Sequence, residues 1–204
     1  MKKVVIFFLL LSVIFIGCYP IKTQTDPEVT VQDKLLVYTT IYPLYDFTKK
    51  IGGDLVEVIQ IMPPGADPHH FEPSAKMLAQ LCQGSLVIYN GAGMEPWLEK
   101  AKTTLEENQV LLVNTSSNVE LLVPGEKDHF HPEVSLGHYN SVDSHIWLSL
   151  KNAILQGEAI YNALVKVDPE NSPYYQENYE VFVQELEKLD EEYQNALKDT
   201  KRKE

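Results

Sequence analysis

The hydrophobic pattern of the chain alternates between two periods. Continuous apolar runs of strand length indicate buried strands at Leu35 to Thr40, Leu55 to Met62, Ser85 to Tyr89 and Val110 to Val113. Between them, apolar residues recur with helical spacing at Pro43 to Gly52, 73–83 and Trp97 to Glu106. Strands that alternate with helices in this way predict βαβ units. The fold class is therefore α/β, a parallel-sheet lobe with flanking helices.

The end of the chain carries helical patterns only. One helix is predicted from about Ser144 to Val167, where Asp168-Pro169 ends it. After Pro173, apolar residues recur at spacings of three and four: Tyr175, Tyr179, Phe182, Leu186, Leu189, Tyr193 and Leu197. This stripe predicts one long amphipathic helix with a solvated charged face. At about 1.5 Å per residue the helix is longer than a small lobe is wide. Its far end is therefore expected to be uncovered or to contact something beyond this chain.

The first residues are typical of a secretory signal. Met1 to Lys3 is basic, and Val4 to Ile16 is apolar but shorter than the roughly 20 residues that cross a bilayer. Residues 1–17 are therefore predicted to be a signal peptide. Cys18 follows Gly17 where the cut is expected, as in a bacterial lipobox. Cys18 is predicted to carry lipid, and the alternative is an ordinary signal peptide with an incidental cysteine.

A polar stretch follows the predicted lipid site. Residues 19–33 contain two prolines and show no helical period, which is typical of a flexible tether. Residues 18–34 are therefore interpreted as the lipidated N-terminus and tether. The predicted location is extracytoplasmic, with the lipid on Cys18 as the membrane anchor.

Composition narrows the function classes. The chain has 17 Lys+Arg against 29 Asp+Glu, a formal net charge of −12. That balance argues against a sequence-independent nucleic-acid binder, which needs a basic face for phosphates. An apolar content of 44% with 10% aromatics is typical of a globular protein. If Cys18 is lipidated, Cys82 is the other cysteine of the chain, so no intrachain disulfide is expected.

Two loop histidines are the candidate chemistry. His69 lies in the proline-rich segment Pro63 to Pro73, and His145 lies at the start of the predicted helix. Imidazole is a common ligand for first-row metals, and prolines stiffen a loop that must hold it at one angle. Neither histidine lies in a metal motif by spacing, and a lone loop histidine is more often solvated or capping. The residues alone therefore leave metal binding open.

Three strings decide between these interpretations. PPGADPHHFEPSAK, LVIYNGAGMEPWLEK and VDSHIWLSLKNA resemble three sequence blocks of the metal-binding solute-binding proteins of zinc and manganese ABC importers. The first family block reads Gly-x-Asp-Pro-His-x-Tyr/Phe-Glu-Pro, so its histidine matches His69 and its variable position matches His70. The third reads Asp-Pro-His-x-Trp-Leu-Ser/Asp-Pro and matches His145. Here the chain departs from the family, because Ser144 and Leu150 replace prolines.

The resemblance implies a fold and a function. The family has two α/β lobes joined by a long helix, with the metal in the cleft between them. Residues 35–170 would then be the N-terminal metal-binding lobe and 171–204 the linking helix, and the C-terminal lobe is expected to be missing from this chain. His69 and His145 would be the metal ligands that this lobe contributes. The cargo would be Zn²⁺, or alternatively Mn²⁺, and the partner an ABC permease. Half of such a site is expected to bind metal weakly.

The long connection 114–142 resembles the variable histidine-rich loop of zinc-type members. His129, His131 and His138 are possible accessory ligands, and the equal alternative is a solvated loop. The histidines favour zinc, since manganese prefers oxygen ligands.

Two carboxylates and two tryptophans have structural interpretations. Glu72 is expected to cap a helix, and Glu95 to be a charge at a helix N-terminus. Trp97 and Trp147 are expected to be core residues.

Two other functions remain as alternatives. A zinc-dependent hydrolase would need a general base beside the metal, and no Glu or Asp forms a motif with His69 or His145 that supplies one. A surface adhesin of the same fold is the second alternative, although nothing in the sequence indicates an adhesive surface.

Overall fold

The computed structural model describes residues 34–122 and 142–199. Its centre is a sheet of four parallel strands, arranged in the order β2-β1-β3-β4. The strands are β1 (Leu35–Thr39), β2 (Val56–Gln60), β3 (Leu86–Tyr89) and β4 (Leu111–Asn114). The prediction of a parallel α/β sheet is therefore confirmed. The predicted signal peptide, Cys18, the tether, His129, His131 and His138 lie outside the described residues.

Five α-helices of the described residues cover both faces of the sheet. They are α1 (Tyr42–Gly52), α2 (Ala75–Leu81), α3 (Leu98–Glu107), α4 (Leu150–Val167) and α5 (Ser172–Leu197). Successive strand residues point to opposite faces. Val37 accordingly packs with α1, α4 and α5, whereas its neighbour Tyr38 packs with α2 and α3. The strands read as continuous apolar runs because both of their faces are buried.

The predicted helix at Ser144 begins later than expected. A 3₁₀ turn spans Ile146–Leu148, and α4 starts only at Leu150. Ser149 adopts extended backbone, and its side chain accepts the Asn152 N–H as the helix cap. His145 therefore lies on a connecting segment, one 3₁₀ turn before the helix.

The long last helix packs through its first half. Tyr175 and Phe182 are buried against the sheet and α4, and Lys50 of α1 pairs with Glu185 at 2.6 Å. Further along, Leu189 and Tyr193 are 38% and 56% exposed. The amphipathic stripe thus predicted the helix, and the stripe is partly exposed at Leu189 and Tyr193. Within the same ranges, no helix is both long and apolar enough to cross a membrane.

The strand order creates a crevice at one edge of the sheet. β1 lies between β2 and β3, so the chain leaves β1 toward one side and later returns on the other. In open α/β sheets, ligands usually bind beyond the strand carboxyl ends at such a switch point. The loops after β1, β2 and β3 all leave the sheet at this edge, because the strands are parallel.

Candidate metal centre

The first candidate ligand, His69, lies on the loop that follows β2. Asp67 organises this loop, because its Oδ1 accepts the His69 N–H at 3.0 Å and its Oδ2 contacts the His70 Nδ1 at 2.6 Å. These contacts, that with the His70 ring first, lower the pKa of Asp67. Asp67 thus binds the His70 ring and the backbone of His69. His70 faces solvent, with 85% of its side chain exposed.

The second candidate ligand, His145, is held by Asp143 in a related way. Asp143 Oδ1 accepts the His145 N–H at 2.9 Å and lies 2.9 Å from the His145 Nδ1. The backbone bond first, and then the ring bond, lower the pKa of Asp143. Since the ionised carboxylate can only accept, the ring hydrogen lies on Nδ1. The lone pair on Nε2 is then available to a metal.

The fold brings the two imidazoles together. The ring centres of His69 and His145 lie 5.6 Å apart, with 66° between the ring planes. When two imidazoles share a tetrahedral zinc ion at about 2.0–2.1 Å, their ring centres are about 5.2 Å apart. The observed separation needs to change by only a few tenths of an ångström to fit that arrangement. Trp147 packs against His145, and the centres of these two rings lie 5.4 Å apart.

Two imidazoles are half of a tetrahedral donor set. Among residues 34–122 and 142–199, no cluster of three or more His, Cys, Asp or Glu side chains could hold a metal ion. Zinc sites in proteins use three or four protein ligands. Further donors would therefore be water or groups outside the described part of the chain.

Glu95 has a different role from the one predicted. Its side chain is buried below this edge, where Oε1 accepts from the Thr40 hydroxyl at 2.6 Å and the Asn90 N–H at 2.9 Å. Oε2 accepts the Gly91 N–H at 3.0 Å. Burial raises the pKa of Glu95, and hydrogen bonds from Thr40 and from the backbone N–H groups of Asn90, Gly91 and Glu95 itself oppose that shift. The prediction of a helix N-terminal charge is wrong, because the carboxylate closes the turn after β3 instead.

The turn at Gly91 explains why a carboxylate is needed there. Gly91 has φ +76°, and a Cβ at this position would collide with the side chains of Asn114 and Ser116. The backbone N–H groups of this tight turn point inward, where water cannot reach them. Glu95 satisfies two of them and ties the turn to β1 through Thr40.

The remaining structural interpretations have mixed outcomes. Glu72 does not cap a helix, because Ser74 caps α2 by accepting the Met77 N–H at 3.2 Å. Glu72 instead pairs with Lys100 at 3.2 Å. Trp97 is buried in the core between α3 and the sheet, as predicted. Trp147 is half-buried, packed against the opposite core and His145.

The buried amides Asn90 and Gln156 escaped sequence reasoning. Asn90 Nδ2 donates to the Ser144 carbonyl at 2.9 Å, and Gln156 Nε2 donates to Asn90 Oδ1 at 3.1 Å. Each contact joins residues more than fifty positions apart, so no local spacing could indicate it. The one available signal is Gln156 itself, a polar residue on the apolar face of a helix.

A family model and several known proteins match this chain. A family model described as ZnuA, zinc-uptake complex component A, periplasmic, matches residues 37–204. The zinc-binding lipoprotein AdcA of Streptococcus pneumoniae (strain ATCC BAA-255 / R6) is 32% identical over 206 residues. That alignment covers 100% of this chain and 40% of AdcA. The high-affinity zinc uptake system protein ZnuA of Bacillus subtilis (strain 168) is 34% identical over 84% of this chain and 54% of its own length.

A solved structure is also similar. The crystal structure of Zn(II)-bound AdcA from Streptococcus pneumoniae has a TM-score of 0.71 and 31% identity, over 83% of this chain and 34% of the other. The chain thus spans about 40% of the length of the AdcA relative.

Proposed function

Since this chain belongs to the ZnuA family of periplasmic zinc-uptake complex components, we propose that it is the substrate-binding component of an ABC importer. Its cargo is a divalent metal, zinc above all, which it binds outside the cytoplasm and delivers to the permease. The names of the two relatives, a zinc-binding lipoprotein and a zinc uptake protein, support this cargo.

One observation carries the proposal. The His69 and His145 rings come from loops far apart in sequence, yet their centres lie 5.6 Å apart at the same sheet edge. Both side chains are accessible from solvent. Asp143 leaves the Nε2 of His145 available, as a zinc-binding imidazole requires. His69 and His145 are therefore the metal ligands of this lobe.

We assign accessory roles to two parts of the chain outside the described residues. His129, His131 and His138 would capture zinc weakly near the two principal ligands, and deletion of 126–138 should then reduce weak zinc uptake. Lipid on Cys18 would anchor the protein to the membrane, so Cys18→Ala should release it from the membrane fraction. Neither change should abolish zinc binding at His69 and His145.

We propose that the protein carries the metal without catalysing a reaction. A zinc hydrolase needs a general base beside the metal-bound water. The carboxylates next to the two histidines, Asp67 and Asp143, are already engaged by backbone N–H groups and imidazoles. The zinc-loaded chain should therefore hydrolyse a model ester no faster than free zinc does. Ester hydrolysis abolished by His69→Ala would contradict the carrier role.

Zinc titration of single variants tests the metal site. Calorimetry or competition with a chelating dye would compare the unchanged chain with His69→Ala, His145→Ala and His70→Ala. We expect His69→Ala and His145→Ala each to weaken zinc binding by about tenfold or more, because each removes a donor. His70→Ala is the matched control, since its ring is bound to Asp67 and faces solvent. Equal loss in all three variants, or no loss in the first two, would contradict the assignment.

A further inference from the structure

The crevice at the carboxyl ends of β1 and β3 is occupied by buried polar side chains of the chain itself. Asn90 and Gln156 are both fully buried there, and Glu95 is 8% exposed. A crevice at this switch point usually receives a ligand. Here the proposed metal-binding side chains, His69 and His145, lie on the loops above the crevice. The buried amides of Asn90 and Gln156 therefore form a supporting layer beneath the proposed metal site.

Backbone carbonyls fix the orientation of Asn90. Its Nδ2 donates to the carbonyls of Ser144 at 2.9 Å and Gly91 at 3.2 Å. Carbonyl oxygens only accept, so the amide nitrogen must face them. The amide oxygen then faces Gln156 and accepts from its Nε2 at 3.1 Å. These contacts therefore fix a single orientation of the Asn90 side-chain amide.

Gln156 is fixed by the same logic. The Thr115 hydroxyl donates to the Tyr89 carbonyl at 3.0 Å, so its oxygen is free to accept from Gln156 Nε2 at 2.9 Å. Glu95 holds the backbone of Asn90 from the other side. The amide of Asn90 is therefore held at its side chain and at its backbone, and its outer end contacts the residue next to His145.

We propose that Asn90 is the positioning residue that sets His145 against His69, and that Gln156 and Glu95 hold Asn90 for this purpose. Ser144, whose carbonyl Asn90 binds, is the residue before His145 and is itself buried. This inference rests on the proposed function of the two histidines as zinc ligands.

The energetics of the cluster support a positioning role. Among the described residues, Gln156 Oε1 is buried without a hydrogen-bond partner. Leaving a buried acceptor unpaired is unfavourable relative to pairing it. A cluster selected for stability alone would be better served by apolar side chains at this depth. Local conflicts of this kind are expected where a function requires them.

The test uses Asn90→Asp, which keeps the size and the acceptor toward Gln156 but places an oxygen against the Ser144 carbonyl. Two quantities are measured: the zinc affinity, and the nuclear Overhauser contact between the His69 and His145 rings in the metal-free chain. Tyr175→Phe is the control, because it removes a partly buried hydrogen bond, to Asp168, remote in sequence from both histidines. Thermal unfolding of both variants shows that they are compared while folded.

We expect Asn90→Asp to weaken zinc binding about tenfold or more and to lose the contact between the His69 and His145 rings. Tyr175→Phe should keep that ring contact and a zinc affinity within about twofold of the unchanged chain. Unchanged affinity and ring contact in Asn90→Asp would overturn the positioning role. If the unchanged chain itself binds no zinc, the proposed function fails, and the metal-free ring contact still decides the positioning role.

A second variant and one measurement on the unchanged chain guard against misfolding of Asn90→Asp. Gln156→Met removes the donor that orients Asn90 and should weaken zinc binding in the same direction. In the unchanged chain, the Asn90 side-chain amide protons should exchange slowly and show scalar coupling to the Ser144 carbonyl carbon. Fast exchange without that coupling would overturn the proposal.

Discussion

At the scale of single residues, both proposed metal ligands, His69 and His145, are held by the same local hydrogen-bond pattern. Asp67 and Asp143 each precede a histidine by two positions, and each accepts that histidine's backbone N–H, at 3.0 and 2.9 Å. Such a carboxylate turn fixes the backbone from which the imidazole projects. The two sites then differ, because Asp143 also binds the ring of His145, whereas Asp67 binds the ring of His70.

This difference gives a prediction for Asp143→Asn. The amide keeps an oxygen for the backbone N–H but loses the charge that holds the His145 ring hydrogen on Nδ1. Loss of such a carboxylate partner typically lowers metal affinity by about 10- to 100-fold. We expect zinc binding to weaken within that range in a chelator competition assay. Asp67→Asn should have the smaller effect, and the reverse order would contradict the assignment of ring partners.

Tyr175 gives a prediction for pH. It is fully buried, and its hydroxyl donates to Asp168 Oδ2 at 2.7 Å. Burial first, and then the bond to Asp168, raise the pKa of Tyr175 well above its usual value. A group with a raised pKa in the folded state contributes stability below its unfolded pKa, near 10, and loses it as pH rises further.

Tyr175→Phe should therefore be less stable than the unchanged chain at pH 8, by about 1 kcal/mol for one partly buried hydrogen bond. As pH rises above about 10, the difference should shrink, because the unfolded tyrosine ionises and the folded one does not. Urea unfolding of both chains across this range measures it. A difference that grows with pH would contradict the assigned environment of Tyr175.

At the scale of elements, apolar periodicity predicted the strands and helices, whereas features that depend on contacts between distant residues were not predicted. The strands and the long helix follow from local apolar spacing, and the structure agrees within one to three residues at most boundaries. The late start of α4 does not follow, because Asp143 and the 3₁₀ turn replace the first helical turn. The contact between Asn90 and Gln156 could not be predicted, since it joins the turn after β3 to a helix 66 positions away.

The contact between α4 and α5 also depends on one small residue. Gly157 lies against the Phe182 ring, and a Cβ at Gly157 would collide with that ring. The ring is 2% exposed and packed edge-on against Phe47 at 5.1 Å, so it has little room to move.

Gly157→Ala should therefore destabilise the fold by about 1–3 kcal/mol from overpacking, less the roughly 1 kcal/mol that alanine gains over glycine in a helix. Denaturant unfolding measures the change. Phe182→Leu in the same chain should relieve the collision, so that the double variant loses less than the sum of the two single variants. Strict additivity would contradict the collision.

At the scale of the whole molecule, parallel strands collect chemistry from separate parts of the chain. His69 leaves the sheet after β2, and His145 arrives from beyond β4, yet both reach the same edge. The sequence patterns indicated that edge, and the family resemblance indicated the two histidines. The distance between the two histidine rings and the buried amides beneath them could be known only from the three-dimensional structure, because each depends on the crossover around β1.

The most direct test of the central claim is a nitrogen-15 spectrum of the histidine side chains during zinc titration. We predict that the Nε2 signals of His69 and His145 shift together at a single zinc equivalent, and that the signal of His70 does not shift with them. A shift at one of the two without the other, or an equal shift at His70, would contradict a zinc ion shared between His69 and His145.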